Sequence, residues 1–347
     1  MVTEALKLRR PRHVVLSLLI LLCPTPRLLG AQESQSVLQT DSDHDGMTDA
    51  LEQSLLLQFV PKFMLSRQEC SSLPAEFIPG LANPIVQDQN GTIYGQVFPA
   101  KVTGLSQTTA EIHFYHLWKQ DCGAHGHQLD AEHVSVLVGR SSDHPISAPW
   151  KALYWYAAAH ENTICDVSQI TRASAVGAEE RGPTVWMSAG KHASFLNETL
   201  CQGGCGADLC QDMVPLGITQ VINLGERDEP MNGALWINSS EWLLAGKMAS
   251  SDFPDSAIAR LNSLPSREIA LFNAGRHPMH ATVAISGVTA NAVAKSGTDT
   301  ASAVSVGEAS TGNALRKSYD KTIGALGSSA RHVGKALHLK PKAGSEK

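Results

Sequence analysis

Six oxygen-bearing residues and one glycine fall at fixed places in a single twelve-residue stretch, Asp41-Ser42-Asp43-His44-Asp45-Gly46-Met47-Thr48-Asp49-Ala50-Leu51-Glu52. Calcium is a hard cation that takes six to eight oxygens, and alternate positions of a tight loop aim carboxylates at one point. Asp41, Asp43 and Asp45 supply those carboxylates. Gly46 permits the reversal that wraps the loop around an ion. Met47 offers its backbone carbonyl, Asp49 ligates directly or through water, and Glu52 closes the shell from the first turn of a following helix. Every position of the calcium-loop pattern is filled, so Ca2+ is the expected cofactor.

A second concentration of chemistry lies further on. Five of the 14 histidines fall between 113 and 133: His113, His116, His125, His127 and His133. Read as a strand, 130–138 puts Asp130 and Glu132 on the same face as Val134, Val136 and Val138. Two carboxylates at the end of a buried row need a compensating cation. Asp121, His127, Asp130 and Glu132 would form an oxygen-rich second site, suited to Mg2+, Ca2+ or Mn2+ better than to zinc. The alternative is compensation from the protein, with Lys119 or Arg140 as partner of Glu132. His160 and His192 sit at ends of apolar segments and could join the cluster.

The elements that must carry these residues are mostly strands. From about 75 to 245 the chain reads as short apolar runs between Gly, Pro, Asn and Asp: 111–118, 132–138, 151–159, 183–189 and 218–224. Several strands without intervening helices argue for a mostly β fold, a β-sandwich with short helices. A short helix is expected over 254–262. The expected organisation is a signal peptide over 1–31, the calcium loop and its helix over 32–60, the sandwich over 61–265 and a low-complexity tail over 266–347.

Three resemblances follow from these motifs. The acidic loop resembles EF-hand, dockerin and thrombospondin type 3 calcium loops. No helix precedes it, which favours the extracellular single-loop type and a structural role for the ion. The segment Gly126-His127-Gln128-Leu129-Asp130-Ala131-Glu132, with Asp121 upstream, resembles the GHRHDWE heptapeptide of secreted necrosis-inducing (NPP1-like) proteins. That resemblance implies a β-sandwich core and a divalent cation on the upstream Asp, the first His, and the heptapeptide's Asp and Glu. Leu129 and Ala131 depart from it, and the cytolytic activity of that family is accordingly in question here. Segment 130–134, the phrase 183–193 with His192, and 222–226 followed by Trp236 and Trp242 are similar to proteins related to the vacuolar sorting protein Vps62.

Bulk properties agree with an exported chain. Lys7, Arg9, Arg10 and Arg12 precede a ten-residue apolar run, Val14–Cys23, which as a helix spans only about 15 Å and is too short for a bilayer. Small residues Gly30 and Ala31 follow, as in a cleaved secretory signal. Six cysteines remain beyond it, an even number that implies disulfides in a secreted, periplasmic or envelope protein. Zinc held by Cys201, Cys205, Cys210 and His192 is the competing reading. Beyond about 282 small residues dominate, and from 281 onward nine Lys and Arg oppose four Asp and Glu, a net of +5. The whole chain carries a net charge of −5, which gives no field for nucleic acid. No nucleophile elbow, phosphate loop, HExxH helix or dinucleotide fingerprint is present. The expected function is binding of a cell surface, lipid headgroup or glycan. The alternatives are a divalent-metal-dependent hydrolase on phosphoesters, with His133 or His192 carrying protons, and an envelope structural protein.

Overall fold

A computed structural model of the chain describes residues 39–273, apart from 72, 124–125, 142–147, 164, 203–207, 243 and 249. The expected signal peptide, His125, Cys205 and nearly all of the low-complexity tail lie outside the described residues.

The chain begins with the acidic loop and helix α1 (Asp49–Phe59), then runs through β1 (Lys62–Ser66), β2 (Glu76–Phe77), β3 (Val86–Asp88), β4 (Thr92–Ala100), β5 (Thr108–Gln120), β6 (Gln128–Arg140) and β7 (Lys151–Ala157). It continues through β8 (Gln169–Arg172), β9 (Thr184–Met187), β10 (Ser194–Phe195), α2 (Glu198–Gln202), β11 (Met213–Pro215), β12 (Gln220–Asn223), α3 (Leu244–Lys247), α4 (Asp255–Asn262) and β13 (Ile269–Leu271). Seven strands form one sheet in the order β12-β4-β5-β6-β7-β8-β13, and four form a second in the order β10-β9-β1-β11. Within them only β12–β4 and β1–β9 are parallel. The fold is the expected β-sandwich.

The two sheets close on one apolar layer. Phe63, Leu65, Val185 and Met187 of the smaller sheet meet Ile112, Phe114, Trp118, Val134, Val136 and Val138 of the larger. Alternation along β5 and β6 sends those residues inward and the intervening ones to the opposite face. Both strands run thirteen residues, longer than the apolar runs alone suggest, with their middles buried and their ends exposed or half-buried.

Helix α1 lies across this layer's edge, with Thr48 as its N-cap, accepting from the Leu51 amide at 3.3 Å. Leu55, Leu56 and Phe59 are fully buried, while Leu51 packs from the margin. Full burial of each such side chain is worth about 1.5–3 kcal/mol. The fit is close: a Cβ on Gly95 of β4 would collide with Leu56. The acidic loop is therefore clamped to the large sheet rather than tethered as an arm.

The last strand of the large sheet, β13, pairs with β8 beyond residue 265, where the sequence reading ends the domain. Three residues after the exposed stretch 265–268 carry no period, so only the pairing reveals them. Cys70 is bonded to Cys122 and Cys201 to Cys210, and Cys165 is disulfide-bonded too. This corrects the cysteine–zinc alternative, since oxidised sulfurs are not thiolate ligands. Disulfides of this kind persist in oxidising, extracytoplasmic compartments. Among the described residues no helix is long and apolar enough to cross a membrane.

Candidate functional site

The loop 41–52 brings its acids together. Ligand oxygens of Asp41, Asp43 and Asp45 lie within 4.8 Å of one another. Gly46 takes φ +93° at the reversal, and its amide donates to Asp41 Oδ2 at 3.1 Å. The Met47 amide donates to Asp45 Oδ1 at 2.6 Å. Glu52 is completely buried at the start of α1, with Oε2 accepting from Asn223 Nδ2 of β12 at 3.1 Å. Asp49 is occupied differently. Its two oxygens accept from the amide and the hydroxyl of Ser42, each at 2.7 Å. It holds the loop's entrance against its exit.

What remains unpaired decides what this loop could hold. Asp41 Oδ1, both oxygens of Asp43, Asp45 Oδ2 and Glu52 Oε1 are buried and accept no hydrogen bond. Buried carboxylate oxygens without a partner are costly. Burial, then repulsion from Asp45, pushes the Asp43 carboxyl up to about 6. Burial, then the charges of Asp43 and Asp45, pushes Glu52 up to about 9. These groups resist ionising together unless a cation sits among them. Five free oxygens in a tight loop, with the Met47 carbonyl available, fit the oxygen shell of calcium.

The second cluster has a different electrostatic plan. Asp121, His127, Asp130 and Glu132 line one cleft of about 460 Å³, together with His160, Glu161, Lys191 and Lys247. They share a cleft, yet each carboxylate already holds a cation of the protein. Asp121 Oδ2 accepts from Lys191 Nζ at 2.6 Å and its Oδ1 from the Gly123 amide at 2.8 Å. Asp130 Oδ2 meets His192 Nδ1 at 2.7 Å, and its Oδ1 accepts from the Ala131 amide at 2.9 Å. Glu132 Oε2 accepts from Lys247 Nζ at 3.3 Å, and the same ammonium donates to the Ala131 carbonyl at 2.7 Å. His127 stands at the rim, its Nε2 3.7 Å from Asp121 Oδ2. In this arrangement the four residues do not fit a resident divalent cation, because ammonium and imidazolium groups fill the places it would take.

His192 is the keystone of that plan. It sits in the left-handed region at φ 54°, an uncommon conformation that persists only when the surroundings fix it. Its ring stacks on Trp118 at 3.9 Å and 6°, and its Nε2 faces Glu69 Oε1 at 3.3 Å. Burial alone would lower its pKa. The hydrogen bonds to Asp130 and Glu69 overcome this and raise it to about 9. A charged imidazolium between two carboxylates and over an indole face is the result. Lys247 is likewise held charged: burial would depress it, and Glu132 foremost raises it. His160 faces both oxygens of Asp208 at 2.9 Å, and that contact outweighs burial and raises its pKa.

His133 and His116 do not reach the cleft as ligands. Strand parity turns His133 to the other face of β6, where Nε2 meets Asp252 Oδ2 at 2.9 Å. His116 accepts from Trp118 Nε1 at 2.9 Å and pairs with Ser194 Oγ at 2.8 Å inside the sandwich. The partners foreseen for Glu132 are also displaced. Arg140 lies over the Trp150 ring at 4.8 Å, Lys119 is exposed, and Lys247 takes the role. Glu69, Lys191 and Lys247 carry no local signal, since each is brought in by the fold from a distant segment.

No protein-family model matches the sequence, and no curated protein matches it. Solved structures similar to it include the non-toxic HaNLP3 protein, at 12% identity and a TM-score of 0.32, covering 58% of this chain and 86% of that one. Necrosis and Ethylene inducing Protein 2, from the causal agent of cocoa's Witches Broom disease, is 18% identical with a TM-score of 0.28, covering 59% and 98%. NLPPya in complex with glucosamine is 15% identical with a TM-score of 0.30, covering 53% and 76%. These are proteins of the kind that segment 126–132 resembles. The likeness is weak, and the sandwich rests on the strand pairing described above.

Proposed function

We propose that this protein is an exported β-sandwich that carries one structural calcium ion in the loop 41–52 and binds a polar surface ligand, a glycan or lipid headgroup, without catalysis. The observation that carries the calcium reading is the set of five buried carboxylate oxygens without a hydrogen-bond partner. An ion there would join the loop to Asn223 through Glu52, locking loop and helix onto β12.

The binding reading is supported by the cleft of Asp121, Asp130, Glu132, Lys191 and Lys247. It presents both signs of charge within about 460 Å³, a lining suited to a hydroxyl-rich or zwitterionic group rather than to an apolar one. The hydrolase alternative needs a metal with an open coordination position to activate water. Lys191, His192 and Lys247 pair with those carboxylates and His133 is turned away from them, which supports binding over metal-activated hydrolysis. A second divalent cation is not part of this proposal.

The test is a glycan array and a liposome panel run in calcium. The expected result is retention on one polar class, weakened in Lys191→Met. Turnover of a phosphoester that depends on a divalent metal and fails in Asp130→Asn would overturn the reading.

A further inference from the structure

On the face of β5 and β6 opposite the sandwich core, four ionisable groups are sealed from water. Glu111, His113 and His133 are at most 1% exposed and Asp252 is 5% exposed. Glu111 and His113 belong to β5, His133 to β6, and Asp252 to the segment ahead of α4. Their bonds fasten that segment to the large sheet. Glu111 Oε1 accepts from the Asp252 amide at 2.8 Å, and its Oε2 accepts from the Ser251 hydroxyl. Asp252 Oδ2 accepts from His133 Nε2 at 2.9 Å and from the Ser135 hydroxyl. Among the described residues no lysine or arginine pairs with either carboxylate.

The protons of His113 follow from its neighbours. Gln96 Nε2 donates to Glu226 Oε2 at 3.0 Å, which orients the amide. Its Oε1 therefore accepts from the Tyr115 hydroxyl at 3.0 Å. That hydroxyl's hydrogen is spent there, so its oxygen accepts from His113 Nδ1–H at 2.9 Å. His113 Nε2 lies 2.7 Å from Glu111 Oε1, and two lone pairs at that distance repel. A second proton lies between them, and the pair is a charge-assisted hydrogen bond. His133 takes the neutral form, donating through Nε2, because its Nδ1 is buried without a partner. Burial alone would lower the His113 pKa. The charge of Asp252, 3.7 Å away, and the bond to Glu111 overcome this and raise it. The other ionisable groups near the ring are Tyr115, His133 and Glu161, with Tyr156 behind His133 and Glu226 reached through Gln96.

The same segment carries a charge of the cleft. Lys247 ends α3, four residues ahead of Ser251, a tether that spans at most about 14 Å. Its Nζ bonds to the Ala131 carbonyl and to Glu132. Asp252 bonds to His133 and Ser135, the next positions along β6. One stretch of chain is pinned along one strand, at 131–132 by the ammonium and at 133–135 by the buried acid.

We infer that Glu111, His113, His133 and Asp252 are positioning residues, a latch held by one proton that seats 251–252 on the large sheet and so keeps Lys247 against Glu132. Opening the latch withdraws the ammonium and turns the mixed lining of the cleft toward negative. The consequence for ligand rests on the binding reading given above, and the latch itself does not.

The test reads Lys247 directly. The folded full chain is treated at neutral pH with acetic anhydride, and acetylation of each lysine is followed by mass spectrometry, with the exposed Lys151 as reference. Losing one hydrogen bond to a carboxylate raises the open population about ten-fold. Acetylation of Lys247 should therefore quicken about ten-fold in Ser251→Ala and further in His113→Gln, with Lys151 unchanged. Because His113→Gln can fail to fold, amide hydrogen exchange of the parent is also followed from pH 6 to 10. Protection of 251–253, corrected for intrinsic exchange, should be complete below about pH 6.5 and fall as pH rises through the raised His113 value, while the amides of β5 stay protected. A folded Ser251→Ala chain whose Lys247 reacts as slowly as in the parent overturns the inference, and so does protection of 251–253 that is constant over that range. Neither measurement involves a ligand, so either failure leaves the binding reading standing.

Discussion

The loop 41–52 and the cleft around Asp130 are built from the same residue types, and their electrostatics are opposite. The loop gathers five carboxylates and leaves five of their oxygens without a partner. The cleft gathers Asp121, Asp130 and Glu132 and gives each a cation from elsewhere in the chain, Lys191, His192 and Lys247. Density of acidic residues therefore says little by itself. What matters is whether the fold returns a positive group to each one. Where it does, the cluster is a rigid zwitterionic surface. Where it does not, as in the loop, the proposed calcium ion would supply the missing charge.

The sharpest way to break this contrast is to remove a cation from the cleft. In Lys247→Met the Glu132 carboxylate loses its ammonium in a mostly buried setting, and breaking such a pair costs about 3–5 kcal/mol. Thermal unfolding should show a drop on the order of 10 °C. Adding magnesium or manganese should not restore it. Rescue by either ion would mean that the cleft is a metal site whose place Lys247 occupies.

The pH dependence of His192 comes next. Its folded pKa of about 9 lies above the unfolded value of 6.5. The stability it contributes is thus complete below about pH 6.5 and is lost as pH rises through about 9, a total of about 3 kcal/mol by linkage. Denaturant midpoints between pH 6 and 10 should fall in the parent, and His192→Gln should flatten most of that slope. An equal slope in both chains would remove His192 from the cleft's charge plan.

The smallest expected effect lies in the loop. Ser42→Ala removes one hydroxyl donor to Asp49 at the loop's exposed entrance. A hydrogen bond of this kind contributes about 1 kcal/mol. Calorimetric titration should show calcium affinity reduced roughly five-fold with unchanged stoichiometry. An unaltered affinity would show that the bracing of Asp49 is incidental.

The unequal legibility of the two regions has a physical basis. The acidic loop is read directly because all its oxygens lie within twelve residues and their spacing is the geometry. The strands carrying Ile112, Phe114 and Trp118, and Val134, Val136 and Val138, are read from a period of two, which the pleat enforces. The same period correctly placed Asp130 and Glu132 on one face. The cleft's charge partners are invisible in the sequence because Glu69, Lys191 and Lys247 come from segments about 70 to 120 residues away along the chain. The nearby Lys119 and Arg140 looked better placed and were not used. His133 belongs to the same run of histidines, yet strand parity sends it to the far face with Asp252. Sequence gives faces locally, and only tertiary packing says which face meets which segment.

The central claim, that the loop requires an ion from outside the chain, is tested most directly by the melting temperature of the full chain in chelator and in calcium. Saturating calcium at about a hundred times its dissociation constant adds about 2.7 kcal/mol, so the melting temperature should rise by about 5–10 °C, with no rise in Asp45→Ala. A melting temperature that is the same in chelator and in calcium would contradict the account.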